Sequence, residues 1–400
     1  MKYITIVPDG MFDNPIEQLG QKTPLETART ANMDHLAQNG FTGLVQTIPD
    51  KMKPGSDIGN MAILGYDPAK YHTGRAPLEA ANQNIVLEQN EIAFRCNLVT
   101  ILDEQMADYS AGHISTKEAA VLMEAINRQL GSQDIRFIAG KSYRHLLILK
   151  TDDPKEYMKI KTTPPHDISG KKIKSFLPQG QGAPILLELM EKSKGIFQDH
   201  SINQVRLDLK ENPANMIWLW GQGIKPNLPS FKEKFGIEGS IISAVDLVNG
   251  IGRLAGLEII DVPGVTGYYD TNYLGKAEYA LRSLKNKDFV YIHIEAPDEA
   301  GHSGDLKAKI AAIERIDKDI VGTIINHFDP HDEVRILILP DHPTPVELRA
   351  HTSDPVGFIM YGSGIPKDGS LDYSERSARE KGLRFKSGEE LMDCFIKKYL

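Results

Sequence analysis

The chain has 400 residues, of which 41% are apolar and 25% charged, and a formal net charge of −8. That much apolar material supports a large core and two domains rather than one, while an acidic balance argues against a nucleic-acid binder. Cys96 and Cys394 stand far apart and outside any ligand spacing, the usage of a reducing cytoplasm. No basic leader precedes the first apolar run and no apolar stretch approaches about 18 residues, so neither a signal peptide nor a membrane partner is expected, and the cytoplasm is the expected location.

In chain order, Tyr3-Ile4-Thr5-Ile6-Val7-Pro8 reads as a buried strand ending in Asp9-Gly10. Lys53-Pro54-Gly55-Ser56-Asp57 reads as a glycine turn opening a helix close to Ser56. Backbone N–H groups and a partial positive charge there would favour a phosphate, although a serine that merely caps the helix fits the same residues. The next candidate ligands come only at Asp298, so an inserted domain is expected, spanning residues 89–212. Within it Ile92 to Val99 and His145 to Leu149 read as strands, Lys117 to Leu130 as an amphipathic helix, and 152–181 as loop. Asn215 to Gly221 reads as a strand returning to the main sheet, which leaves residues 1–88 and 213–400 as the main domain.

Beyond the insertion, 243–254 and 276–284 read as helices, each followed by an apolar strand. Phe289 to Ile294 leads to Asp298, and His302 four residues on can share one face of a helical turn with it. Lys307 to Ile325 carries Ile310, Ile313, Ile316, Ile320 and Ile324 at helical spacing. Val334 to Pro340 is a last apolar run, ending in Asp341-His342, with His351 shortly after. Such alternation predicts an α/β fold, a doubly wound and mainly parallel sheet carrying a smaller inserted α/β domain. Acids just past buried strands stand where open α/β sheets place their ligands. Singly, each also fits an ordinary turn or strand end.

Carboxylate and imidazole together suit Zn or Mn better than Mg or Ca. Two such ions a few Å apart can polarise a phosphoryl group and lower the pKa of a serine hydroxyl. Ser56 is the natural recipient of that help.

Together, Pro8-Asp9-Gly10, Pro54-Gly55-Ser56-Asp57, Ala296-Pro297-Asp298-Glu299-Ala300-Gly301-His302, Pro340-Asp341-His342 and Arg349-Ala350-His351 resemble the cofactor-independent phosphoglycerate mutases of the alkaline phosphatase superfamily, more narrowly their archaeal-type branch and its bacterial relatives. The resemblance runs through the whole chain, including Thr73 to Ala81 and Phe94-Arg95-Cys96-Asn97. It implies an alkaline-phosphatase-like main domain, with Asp9, Ser56, Asp341 and His342 around one divalent ion, Mn or Zn, and Asp298, His302 and His351 around a second. Ser56 would be phosphorylated. Phosphate would pass from the substrate to the serine and back to another hydroxyl of the same glycerate, so that 3- and 2-phosphoglycerate interconvert without 2,3-bisphosphoglycerate.

The resemblance also implies that the inserted domain grips the carboxylate and phosphate of this small substrate. Arg95, His113 and Arg144 are the candidates there, with Arg75 and Lys276 from the main domain. His113, Ser142-Tyr143-Arg144-His145 and Ile217 to Gly221 also resemble a bacterial subgroup for which homoserine phosphorylation has been proposed. A homoserine kinase-like transfer from an outside donor is therefore the alternative, although no Gly-x-x-x-x-Gly-Lys-Ser/Thr loop accompanies it. Hydrolysis is a third possibility.

Overall fold

The structure is a computed structural model that describes residues 1–329 and 331–397. It divides into two compact units, Met1–His72 with the chain from Asn227 onward, and Thr73–Pro226.

The first unit is built on an eight-stranded sheet in the order Leu383–Phe385, Phe41–Val45, Val356–Gly362, Val334–Ile338, Lys2–Pro8, Phe289–Ile294, Gly239–Ile242, Glu258–Ile259. Lys2–Pro8 runs parallel to both of its neighbours, with Pro8 opposite Ile294 and Ile6 opposite Ile338. Val356–Gly362 runs antiparallel to its neighbours on either side. The α/β fold with a mainly parallel sheet is thus as expected. Central strands covered on both faces read as continuous apolar runs, and Phe289–Ile294 and Val334–Ile338 are buried at every position.

The isoleucine stripe packs as its spacing predicts, with Ile313, Ile316, Ile320 and Ile324 all buried. Its helix is not uniform: Leu306–Arg315 passes into a π-helical stretch, Ile316–Val321, before Gly322–Ile325. The buried Asp317 in that stretch accepts N–H bonds from Asn32 and Met33, at 3.2 and 2.7 Å. It thereby caps the helix Ala31–Gln38, whose own N-cap side chain makes no capping bond. The helix expected from residue 243 starts instead at Asp246, because the Ser243 hydroxyl takes the Val245 N–H and holds the chain in a bend.

The second unit carries a five-stranded sheet centred on Glu91–Leu102, which pairs antiparallel with Gln105–Asp108, Arg144–Lys150 and Met216–Ile224. Ile135–Ile138 extends it beyond Arg144–Lys150. Helix Thr116–Leu130 carries a capping box at Ser115 and Glu118 and buries Ala119, Leu122, Met123 and Ile126 against the sheet.

Two expectations are corrected here. The strand at 215–221 does not return to the main sheet; as Met216–Ile224 it lies along Glu91–Leu102. Trp218 and Trp220 are buried in the core of this unit, with their ring N–H groups donating to Thr163 O and Asn97 Oδ1. An apolar run fits any sheet, and its partner is not written within it. The expected boundaries at 88 and 213 also move outward, because helix Arg75–Asn82 packs Ala76 and Ala80 against Ala93, Leu146 and Ile148 of this second sheet.

Candidate active site

Strands Phe289–Ile294, Lys2–Pro8 and Val334–Ile338 are neighbours in the sheet. Their parallel course delivers Asp298, Asp9 and Asp341 to one edge from positions far apart in sequence. The Asp9 N–H donates to Ile294 O at 2.9 Å, continuing the ladder to the candidate ligand. Gly10 follows with φ +62°, and a Cβ there would lie 2.6 Å from Asp298 Oδ1. Only glycine allows both that turn and that approach.

Ser56 is the first residue of helix Ser56–Ile63, and Gly55 occupies the cap without any side-chain bond. The capping alternative therefore fails: the Ser56 hydroxyl is not spent on the helix end. Its Oγ stands 3.5 Å from His342 Nε2. One turn on, Asn60 Nδ2 donates to both Ser56 O and Asp341 Oδ2 at 2.9 Å, while Tyr291 OH donates to Asn60 Oδ1 at 2.6 Å. This buried amide locks the serine turn to the third strand's acid.

Two groups of three donors have their atoms within 4.8 Å of one another: Asp9, His293 and Asp341, and Asp298, His342 and His351. His342 Nε2 also lies 3.4 Å from Asp341 Oδ2 and 3.6 Å from Asp9 Oδ1, so it stands between the groups. His302, exposed at the rim, places Nε2 3.3 Å from Asp298 Oδ2 and 2.7 Å from His351 Nε2. The seven residues singled out in the sequence thus come together, joined by His293, which sequence reasoning missed.

The electrostatics call for a cation. Burial, then the neighbouring Asp341, Glu295 and Asp298 carboxylates, push Asp9 well above the usual carboxylate range. Asp9 Oδ1 is a buried acceptor with no hydrogen-bond partner. Burial likewise pushes Glu295 up to about 8, with Asp298 adding to it. Asp298 behaves oppposite in sign: burial raises it, but its bonds to His302 and His351 outweigh burial and hold it well below the usual range. His302, hydrogen-bonded to Asp298, is raised to about 9. Clustered buried carboxylates, an unpartnered Asp9 oxygen and facing imidazole nitrogens form a donor set that divalent ions fit.

In the second unit, Arg95 is buried, pairs with Glu79 Oε1 at 2.8 Å and lies 4.1 Å over the Trp220 ring. Its Nε has no hydrogen-bond partner. Burial lowers the Arg95 pKa, and Arg75 and Arg144 lower it further, so these three cations form one positive neighbourhood. The same three press on His166, a residue the sequence reading did not single out; burial and this charge hold it below its ordinary value. Arg144 is exposed and stacks on Tyr143, and His113 is exposed with φ +49°. His145 is structural: it is buried and accepts the Gly140 N–H through Nδ1.

Lys276 requires a correction. It is 1% exposed, and its ammonium donates to His293 O at 2.5 Å instead of reaching solvent where a substrate could meet it. Helix Tyr273–Ser283 turns this position inward against strand Phe289–Ile294.

Residues 37–203 match the family described as 2,3-bisphosphoglycerate-independent phosphoglycerate mutase. The chain is 48% identical over 397 residues to the protein of that name from Methanothrix thermoacetophila, covering 99% of this chain and 100% of the relative. It is 46% identical over 399 residues to the one from Methanosarcina acetivorans, with the same coverage. Among solved structures, a Pyrococcus horikoshii protein superposes with a TM-score of 0.84 at 30% identity, covering 100% of this chain and 98% of that one. The cofactor-independent phosphoglycerate mutase from Thermoplasma acidophilum gives 0.68 at 27% identity, covering 99% of each. The chain belongs to the 2,3-bisphosphoglycerate-independent phosphoglycerate mutase family.

Proposed function

We propose that the protein interconverts 3-phosphoglycerate and 2-phosphoglycerate through a phosphoserine at Ser56, without 2,3-bisphosphoglycerate. The observation that carries this reading is the Ser56 hydroxyl, free of helix capping and 3.5 Å from His342 at the edge of the carboxylate–imidazole clusters. Asp9, Asp341 and His342 hold one divalent ion beside Ser56, and Asp298, His302 and His351 a second, Mn or Zn in each case. When bound, the ions supply charge that favours the serine alkoxide and the transferring phosphoryl group.

The chain's own groups do the rest. The start of helix Ser56–Ile63 presents its positive end to the phosphate, and Asn60 fixes the serine against Asp341. Arg95, Arg75 and Arg144, with His113, bind the carboxylate and phosphate of the substrate, where guanidinium forks give paired hydrogen bonds. Glycerate stays bound while the phosphate visits the serine and returns to the other hydroxyl. Full-length relatives at 46–48% identity that carry the mutase name support this acceptor over homoserine.

Phosphorus NMR of Mn-loaded protein with 3-phosphoglycerate, and with neither bisphosphoglycerate nor nucleotide, tests the reading. A growing 2-phosphoglycerate resonance is expected, with Ser56→Ala at least about 10³-fold slower at normal metal content. Undiminished conversion by Ser56→Ala would sink the covalent route, and inorganic phosphate alone would make the protein a hydrolase.

A further inference from the structure

His293 lies on the strand beside Asp9, with Val7 opposite it in register. It is wholly buried, and its Nε2 is 2.8 Å from Asp9 Oδ2. The carboxylate–imidazole spacings among the ligands proposed above run longer, from 3.3 Å for His302–Asp298 to 3.6 Å for His342–Asp9. The His293 contact is a hydrogen bond in length. Its other nitrogen, Nδ1, is 3.2 Å from Ser243 Oγ.

These contacts fix the protons. As a metal ligand Asp9 is ionised and can only accept, so Nε2 carries the hydrogen and Nδ1 of the neutral ring accepts. Ser243 must then donate to Nδ1. Its oxygen already receives the Val245 N–H at 3.0 Å, which leaves the hydroxyl proton for the imidazole. Behind the ring, Lys276 Nζ anchors the His293 carbonyl. With Oδ2 so engaged, Asp9 Oδ1 is left without a partner.

Resting on the reading of Asp9 and Asp341 as ligands, we propose that His293 is a positioning residue: Ser243 sets its tautomer, its Nε2–H holds Asp9 Oδ2, and Asp9 Oδ1 is thereby turned toward the ion. Outer partners of this kind typically change metal affinity by 10–100-fold.

The test is Mn(II) binding to the full chain, followed by the EPR signal of the free ion, together with electron spin-echo detection of nitrogens bound to the metal. His293→Ala is expected to weaken one of two ions by about 10–100-fold. His293→Gln, which can restore an N–H donor, should recover most of the loss without changing the count of bound nitrogens. Ser243→Ala, which keeps the ring, should cost a few-fold and stands in if His293→Ala does not fold. Wild-type affinity in His293→Ala and Ser243→Ala, or one bound nitrogen fewer in His293→Gln, overturns the proposal, the latter by making His293 a ligand. Asp341→Asn separates the two levels. If it alone loses an ion, only the role of His293 fails; if it too retains both, the metal reading itself falls.

Discussion

The two halves of the site are built differently. Asp9, Asp341, His342 and His293 are fully buried at the ends of sheet strands or within one. His302 and His351 sit on a helical turn and a loop, with side chains 38% and 20% exposed. A sheet edge fixes ligands through backbone ladders and excludes water, whereas a rim lets water substitute for a missing side chain. Rigidity and exchangeability are thus divided between neighbouring ions in the proposed site.

Substitution gives the largest expected contrast. Asp341→Asn should weaken one ion by at least about 100-fold, beyond what outer partners typically contribute, while His302→Ala should cost only about tenfold because water replaces the exposed ring. Equal losses in a metal titration would erase the distinction. Chelation should show the next effect: after mixing with EDTA, one equivalent should leave quickly and the other only as the sheet edge opens. A single kinetic phase with both ions leaving together would contradict it.

A smaller effect comes from Glu375, a buried carboxylate away from the clusters, which receives the Thr23 hydroxyl and the Asp13 N–H at 2.7 and 3.0 Å. Burial raises it from 4.5 to about 7. The folded protein then holds the proton more tightly than the unfolded chain, so this stabilisation is complete below about pH 4.5 and is lost as pH rises through about 7. Across that window the wild type should lose about 2–3 kcal/mol relative to Glu375→Gln. Urea unfolding at pH 5 and pH 8 measures it, and parallel behaviour of the two proteins would show that Glu375 is ionised in the folded state throughout.

The halves also differed in legibility. Asp9 and Asp341 could be read because apolar runs end in them, and His302 because it stands one helical turn from Asp298. His293 could not: it sits inside an apolar strand, and only the strand order reveals the carboxylate it meets. Lys276 looked like a cation available to substrate, yet its helix turns it inward. Met216–Ile224 was legible as a strand but not as a member of the second sheet, since partner choice depends on what lies alongside. Ser56 needed its backbone, which shows Gly55 in the capping position.

The central strand of the main sheet, Lys2–Pro8, is made long before either of the strands that flank it. Tyr3 pairs with Phe289 on one side and Arg335 on the other. At the usual 5–20 residues per second, roughly 15–60 s of synthesis pass before either neighbour exists. For that interval an apolar strand has both edges open, the state in which chains pair with one another. Expression yield should accordingly depend on how this nascent strand is shielded, a demand on the cell that the finished sheet, with Tyr3 to Pro8 buried, conceals.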